Sequence, residues 1–218
     1  MAAMAASRAS GGVHRGQGRS HKALRPRLWI EGSGQNRADM TAPQTPAPRR
    51  LFTALFPDAA ACAAIDAARQ RWGGVPKRLR PAPERMHLTL QFFNQVGAEH
   101  ERDWQAALSG LRFAPFELAL TRAELWHAPR GTIAVLRAAP NAALDELHAA
   151  TDDLARAAGL PPDARPYKPH LTALRQAERV TLARLPAPIT WRVAAVDLIW
   201  SDLRAQPPRY HRLGRYAG

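Results

Sequence analysis

The chain has 218 residues, 46% of them hydrophobic and 22% charged, which is enough apolar material for one large domain or two small lobes. This composition excludes collagen-like, membrane-spanning and wholly disordered chains. Cys62 is the single cysteine, so an intramolecular disulfide, a CxxC redox pair and a cysteine-based zinc site are excluded, and a reducing, cytoplasmic compartment is the natural setting.

The net charge is +13, from 31 Lys and Arg against 18 Asp and Glu. Residues 1–50 carry nine basic and two acidic residues, and residues 51–218 carry 22 and 16, leaving the body at +6. A body of that charge suits a polyanion such as RNA; arginine-rich composition that aids solubility explains the same count. Residues 1–48 are rich in Ala, Arg, Gly, Ser and Pro without a sustained apolar period, so they read as a disordered basic tail. An over-extended start is the favoured reading, because Met40-Thr41-Ala42-Pro43 makes a natural N-terminus close to the first strand-like run. Residues 49–218 form the expected domain.

In chain order, Leu51–Phe56 is an apolar run that reads as a buried strand. Asp58 is placed to cap a helix carrying Ala61, Ile65, Ala68 and Trp72, which Gly73-Gly74 ends. Residues 86–93 read as a strand and 98–110 as a helix, with Trp104, Ala107, Leu108 and Leu111 on one side. Residues 116–126 and 131–137 read as strands joined by a turn at Pro129-Arg130-Gly131. The clearest helix spans 141–158, with Leu144, Leu147, Thr151, Leu154 and Ala158 in one stripe and Gly159-Leu160-Pro161 as its stop. Residues 169–175, 191–200 and 208–213 read as further strands. The order points to an α+β fold of two lobes, with largely antiparallel sheet.

One tetrapeptide pattern occurs twice: His87-Leu88-Thr89-Leu90 and, 83 residues later, His170-Leu171-Thr172-Ala173. A given histidine is followed by Leu-Thr by chance with a probability of about 0.005, so two among eight histidines is a signal. On a strand, residues i and i+2 share a face. Each motif therefore presents an imidazole and a hydroxyl together, with Leu88 and Leu90, or Leu171 and Ala173, turned to a core. Two imidazoles can serve as general acid and general base near neutral pH, and two hydroxyls can donate to phosphate oxygens. That set suits in-line displacement at a phosphodiester, and ring opening of a 2′,3′-cyclic phosphate in particular. No HExxH, cysteine cluster or phosphate-cradling glycine loop is present, so no metal and no cofactor are expected.

The paired HLT motifs resemble the HxTx signatures of the 2H phosphoesterase superfamily. The runs Arg50–Pro57, Met86–Phe93 and Arg165–Thr172, and more loosely Tyr210–Leu213, resemble the RNA 2′,3′-cyclic phosphodiesterases, also called 2′-5′ RNA ligases, over roughly residues 50–215. The resemblance implies two pseudo-symmetric lobes with helices outside and a basic cleft between. It implies metal-independent hydrolysis of a 2′,3′-cyclic RNA end to a 2′-phosphomonoester, by a monomer with no membrane contact. It gives His87 the acid role and His170 the base role, a pair that symmetry allows to exchange, and sets Thr89, Thr172 and Arg175 at the phosphate. Ligation by the reverse chemistry and non-catalytic binding of RNA ends are the alternatives.

Two departures stand out. Phe92-Phe93-Asn94 replaces a family Phe-Leu-Gly run, with Asn94 expected to keep a turn there. Ala173 replaces a larger apolar residue, which should loosen the strand behind His170. Of the remaining residues, Cys62 is expected to be a buried small apolar residue and His148 to lie on a solvated helix flank. Trp126, Trp191 and Trp200 are expected in the core; one of these, or Phe56 or Tyr167, is a candidate to stack on a base.

Overall fold

The structure, a computed structural model, describes residues 46–75, 80–129, 131–161, 163–206 and 208–218. The expected tail or over-extended start therefore lies outside the described residues, apart from its last three positions.

Among the described residues, three α-helices pack on one eight-stranded sheet in which every pairing is antiparallel. The elements run β1 (Arg49–Leu55), α1 (Ala59–Gln70), β2 (Leu88–Val96), α2 (Ala98–Ser109), β3 (Phe116–Ala128), β4 (Gly131–Ala138), α3 (Ala142–Ala157), β5 (His170–Arg175), β6 (Ile189–Val193), β7 (Ala195–Asp202) and β8 (Arg209–Ala217). Local chemistry sets several boundaries. The Asp58 carboxylate accepts from the Ala61 amide and opens α1, and the Asn141 side chain does the same for Leu144 and α3. Gly159, at φ 73°, supplies the left-handed residue just past the end of α3.

The strand order is β6-β3-β4-β5-β2-β1-β7-β8. It divides into two four-stranded halves that meet where β2 pairs with β5. These are the two lobes, but they are not successive stretches of sequence: β3 joins the second half, while β7 and β8 return to the first. Helices tie the halves together. α1 connects β1 to β2 in one half and packs on β6 of the other, while α3 connects β4 to β5 and packs on β2 and α2.

The expected strand at 191–200 is in fact two strands, β6 and β7, divided at Ala194. They stand six positions apart in the sheet, roughly 29 Å if it were flat, whereas the single residue between them spans only a few ångströms. The sheet must therefore curl until its two ends meet, and there the Gly218 amide donates to the Ala194 carbonyl at 3.0 Å. Ala194 carries no turn chemistry, which hid this boundary: β6 buries alternate residues, and β7 buries Val196–Ile199 in succession.

The largest core cluster lies between helices and sheet and includes Ile65, Trp72, Leu88, Leu118, Leu136, Leu144, Leu171 and Trp191. A second, around Leu51, Trp104, Leu108 and Leu198, packs α2 and α3 against the first half. The expected turn at Asn94 is absent: β2 continues through it to Val96, and Gly97 stands at the start of α2 instead. Among the described residues no helix is long and apolar enough to cross a membrane.

Candidate active site

The two motifs meet at the junction of the halves. Leu88 lies opposite Leu171, both wholly buried. One step along that antiparallel register sets His87 across from Thr172 and Thr89 across from His170. The local pseudo-twofold axis thus passes through the leucine pair, and the two histidines occupy one diagonal of a square, with Cβ atoms about 7–8 Å apart. Leu90 and Ala173 are buried behind, as strand alternation requires. His87, Thr89, His170, Thr172 and Arg175 all line one cavity of about 290 Å³.

Arg175 reaches that cavity because of a bulge. It follows Thr172 by three residues, so strict alternation would turn it to the opposite face. β5 carries an extra residue against β4: Val135 pairs with Thr172 and Ala134 with Leu174, which brings Arg175 opposite Ile133 on the cavity side. β2 repeats the device. Ala54 pairs with Thr89 and Phe52 with Phe92, so Phe92 is the counterpart of Arg175 across the pseudo-twofold axis. The two lobes therefore supply an arginine at one third position and an aromatic ring at the other. Ala173 sits within the β5 bulge, and its carbonyl accepts at 3.1 Å from the buried guanidinium of Arg69, which also contacts Asp66. The expected loosening behind His170 meets this tie instead.

Both imidazoles are oriented identically. His87 Nδ1–H donates to the Arg85 carbonyl at 2.8 Å, and His170 Nδ1–H donates to the Lys168 carbonyl at 2.7 Å, each two residues back. A carbonyl can only accept, so Nδ1 carries the hydrogen and Nε2 is the nitrogen left to gain or lose a proton.

The surroundings of the two rings differ. Phe52 stacks on His87 at 4.7 Å, with Phe56 at 5.5 Å and Tyr210 edge-on at 5.6 Å. Burial lowers the His87 pKa to about 4; the Arg85 carbonyl opposes that shift, and the charges of Arg175, His170 and Arg85 add to it. Trp126 lies 4.4 Å from His170, and Arg137 faces it across the β4–β5 pair. Burial also lowers the His170 pKa, against the pull of the Lys168 carbonyl and with a further push from Arg137.

Several wall residues were not singled out in the sequence. Phe52 projects from β1 beside His87, Tyr210 from β8, and Ser201 from β7. Arg85 donates to the Pro208 carbonyl at 2.9 Å and lies over the Tyr210 ring, closing one wall. A signal for Arg85 existed: Arg85-Met86-His87 and Lys168-Pro169-His170 place a cation at the same position before each motif.

The aromatic expectations divide. Trp191 is core, while Trp200 packs between the Arg49 guanidinium and the His211 ring, away from the site. Trp126 is not core but overlies His170, and Phe56 stands by His87. His148 is half-buried and stacks on Tyr167 at 3.7 Å rather than facing solvent. Tyr167 donates its hydroxyl to the Thr89 carbonyl at 3.2 Å, linking the two motif segments. Cys62 is half-buried rather than buried, and burial raises its thiol pKa. Among the described residues no three of His, Cys, Asp and Glu gather in a group that could hold a metal ion.

The family profile of the 2′-5′ RNA ligase superfamily matches residues 57–205, which include both motifs. The chain belongs to this superfamily. It is thereby an enzyme of phosphate-ester chemistry. An RNA 2′,3′-cyclic phosphodiesterase of Escherichia coli strain K12 is 32% identical over 146 residues, covering 65% of this chain and 81% of that protein. Among solved structures, a phosphoesterase matches with a TM-score of 0.68 at 31% identity, over 78% of this chain and 98% of that one. Escherichia coli LigT complexed with 3′-AMP gives 0.67 at 31%, with the same coverage. A Thermus thermophilus protein, TT0787, gives 0.58 at 26%, over 77% and 97%. The two-lobed fold expected from the motifs is the fold these superfamily structures share.

Proposed function

We propose that the chain opens 2′,3′-cyclic phosphate ends of RNA to 2′-phosphomonoesters, with His87 and His170 as the acid and base. The observation that carries this reading is the diagonal His–Thr square lining one cavity, with both rings tied by Nδ1 so that Nε2 is the exchanging atom. A phosphorus atom within the square has an imidazole on either side. One takes a proton from the entering water while the other gives a proton to the departing 3′ oxygen; the phosphorus–oxygen bond to the 3′ carbon's oxygen breaks as the bond to water forms. Thr89 and Thr172 donate to the non-bridging oxygens, and Arg175 offsets their charge. The activity of the Escherichia coli relative, an RNA 2′,3′-cyclic phosphodiesterase, supports the same substrate class.

The superfamily resemblance assigns the acid role to His87 and the base role to His170. The lower pKa of His87 favours the exchange of roles, since a ring that resists protonation suits a base. An aryl phosphodiester separates the two, because a nitrophenolate leaves without a proton: the acid's alanine variant keeps activity on it and the base's does not.

The function is tested by incubating a short RNA with a 2′,3′-cyclic end in EDTA and reading the product by phosphorus NMR. A 2′-phosphomonoester is expected. Persistence of the cyclic phosphate, or binding without turnover, would leave only an RNA-end-binding module.

A further inference from the structure

Arg175 enters the cavity only because β5 bulges, and among the described residues its guanidinium makes no hydrogen bond or ion pair. Its backbone therefore sets where it stands, and that backbone is pinned on both sides. Beyond it, Gln176 takes a left-handed φ of 54°, uncommon for a residue with a side chain, and the Ala177 amide donates to the Thr132 carbonyl at 2.9 Å. Before it, the bulge itself is held by Arg69.

Arg69 lies in the last turn of α1 and is 1% exposed. Its Nη1 carries two hydrogens and donates to the Ala173 carbonyl at 3.1 Å and to the Pro81 carbonyl at 3.3 Å, while Nη2 donates to the Asp66 carboxylate. Pro81 lines the cavity and leads toward the first motif, and Ala173 is the extra residue of the bulge within the second. One nitrogen thus bridges the two halves from behind the wall that carries Arg175.

Burying a guanidinium is costly unless it is paired and hydrogen-bonded, so its presence needs a reason beyond filling space. The bulge supplies one. An extra residue in a strand has no partner across the ladder, and Ala173 is wholly buried, so its carbonyl needs a donor from elsewhere. A small neutral side chain could serve that carbonyl, but not the Pro81 carbonyl and the Asp66 carboxylate as well; a planar fork of donors can. Among the described residues Nε has no partner, so the side chain forgoes one bond while serving these three acceptors.

We propose that Arg69 is a positioning residue for the phosphate site: it holds the β5 bulge, and through it sets where Arg175 stands in the cavity. This rests on the reading of Arg175 as a phosphate contact and holds whichever histidine is the acid. Without Arg69 the Ala173 carbonyl loses its donor, the bulge relaxes toward regular pairing, and Arg175 turns toward the opposite face.

The test is a double-mutant cycle. Arg69→Met keeps an apolar stem and removes the charge and the donors. On adenosine 2′,3′-cyclic phosphate, kcat/KM should fall about tenfold in the wild-type background and less than about twofold where Arg175 is already alanine, because residues that act through one another depart from additivity. A merely structural role lowers both backgrounds alike. If Arg69→Met does not fold, Arg69→Lys, which keeps the charge but not the fork, carries the same cycle, with a smaller loss that again disappears beside Arg175→Ala. The His87 ring gives a readout that needs no substrate. Arg175 is among the charges that hold its pKa down, and Arg69 is not. Nitrogen-15 NMR should therefore show the His87 pKa rising in the Arg69 variant, with no further rise when that change is added to Arg175→Ala. Equal losses in both backgrounds, no loss in either, or an unmoved His87 pKa would overturn the role. The NMR shift without turnover of the cyclic phosphate by the wild type would leave the role of Arg69 standing and remove the hydrolytic function.

Discussion

At the scale of single residues, the proposed mechanism turns on two nitrogens. His87 and His170 hold the same tautomer through the same backbone bond, yet His87 is enclosed by three aromatic rings and His170 sits against one tryptophan and an arginine. Replacing either by alanine should lower kcat by about 10²–10⁴-fold with little change in melting temperature, since general acid or base catalysis is what each would supply. Arg175→Ala should cost about ten- to a hundredfold in kcat/KM, the worth of a charge-assisted contact of about 1.5–3 kcal/mol, and Arg175→Lys should restore part of it. The pH profile has a definite sign. In the proposed mechanism the active free enzyme holds one proton between the two rings, so kcat/KM should rise with pH through the lower pKa and fall above the upper one. Both pKa values are lowered from 6.5, that of His87 to about 4. A lowered pKa releases the proton at a lower pH, so kcat/KM should fall about tenfold between pH 7 and pH 8. A profile flat over that interval would contradict the account.

At the scale of elements, the site depends on the join between β2 and β5 and on a bulge in each. Leu88 and Leu171 form that join from behind the square. Leu171→Ala should destabilise the protein by about 2–5 kcal/mol, as for any large buried side chain cut to a methyl, and should also loosen the hydroxyl and imidazole on either side of it. Thermal unfolding and kcat, measured together, check both effects. The motif faces were legible in the sequence because a strand's period of two needs no tertiary information. The bulges were not, because an extra residue shows only against its partner strand. For the same reason Phe92 passed as one more apolar residue, and Asn94 suggested a turn where β2 instead carries a further extra residue against β1 and continues to Val96. Ala194, a single residue between two strands, carries no turn signature at all. His148 looked solvated because its neighbour Tyr167 arrives from a segment nineteen residues away.

At the scale of the whole molecule, the two halves share helices, so neither is an independent lobe. The sheet curls because one residue links strands from its two ends. That curl was beyond the sequence, whereas the α+β class and most element positions followed from period and punctuation. The described body is basic, and Arg85, Arg137 and Arg175 stand close enough to the histidines to shift their pKa values. RNA binding to the doubly alanine-substituted, inactive protein should therefore weaken steeply with salt, with a slope near about −0.7 per phosphate engaged on a single strand.

The most direct test of the central claim is nitrogen-15 NMR of the imidazoles during titration with a uridine–vanadate complex, which mimics five-coordinate phosphorus. If both rings serve one phosphorus, the Nε2 signals of His87 and His170 will move together and saturate at the same ligand concentration, while both Nδ1 signals stay near their starting positions. Movement of only one ring at saturation would contradict it.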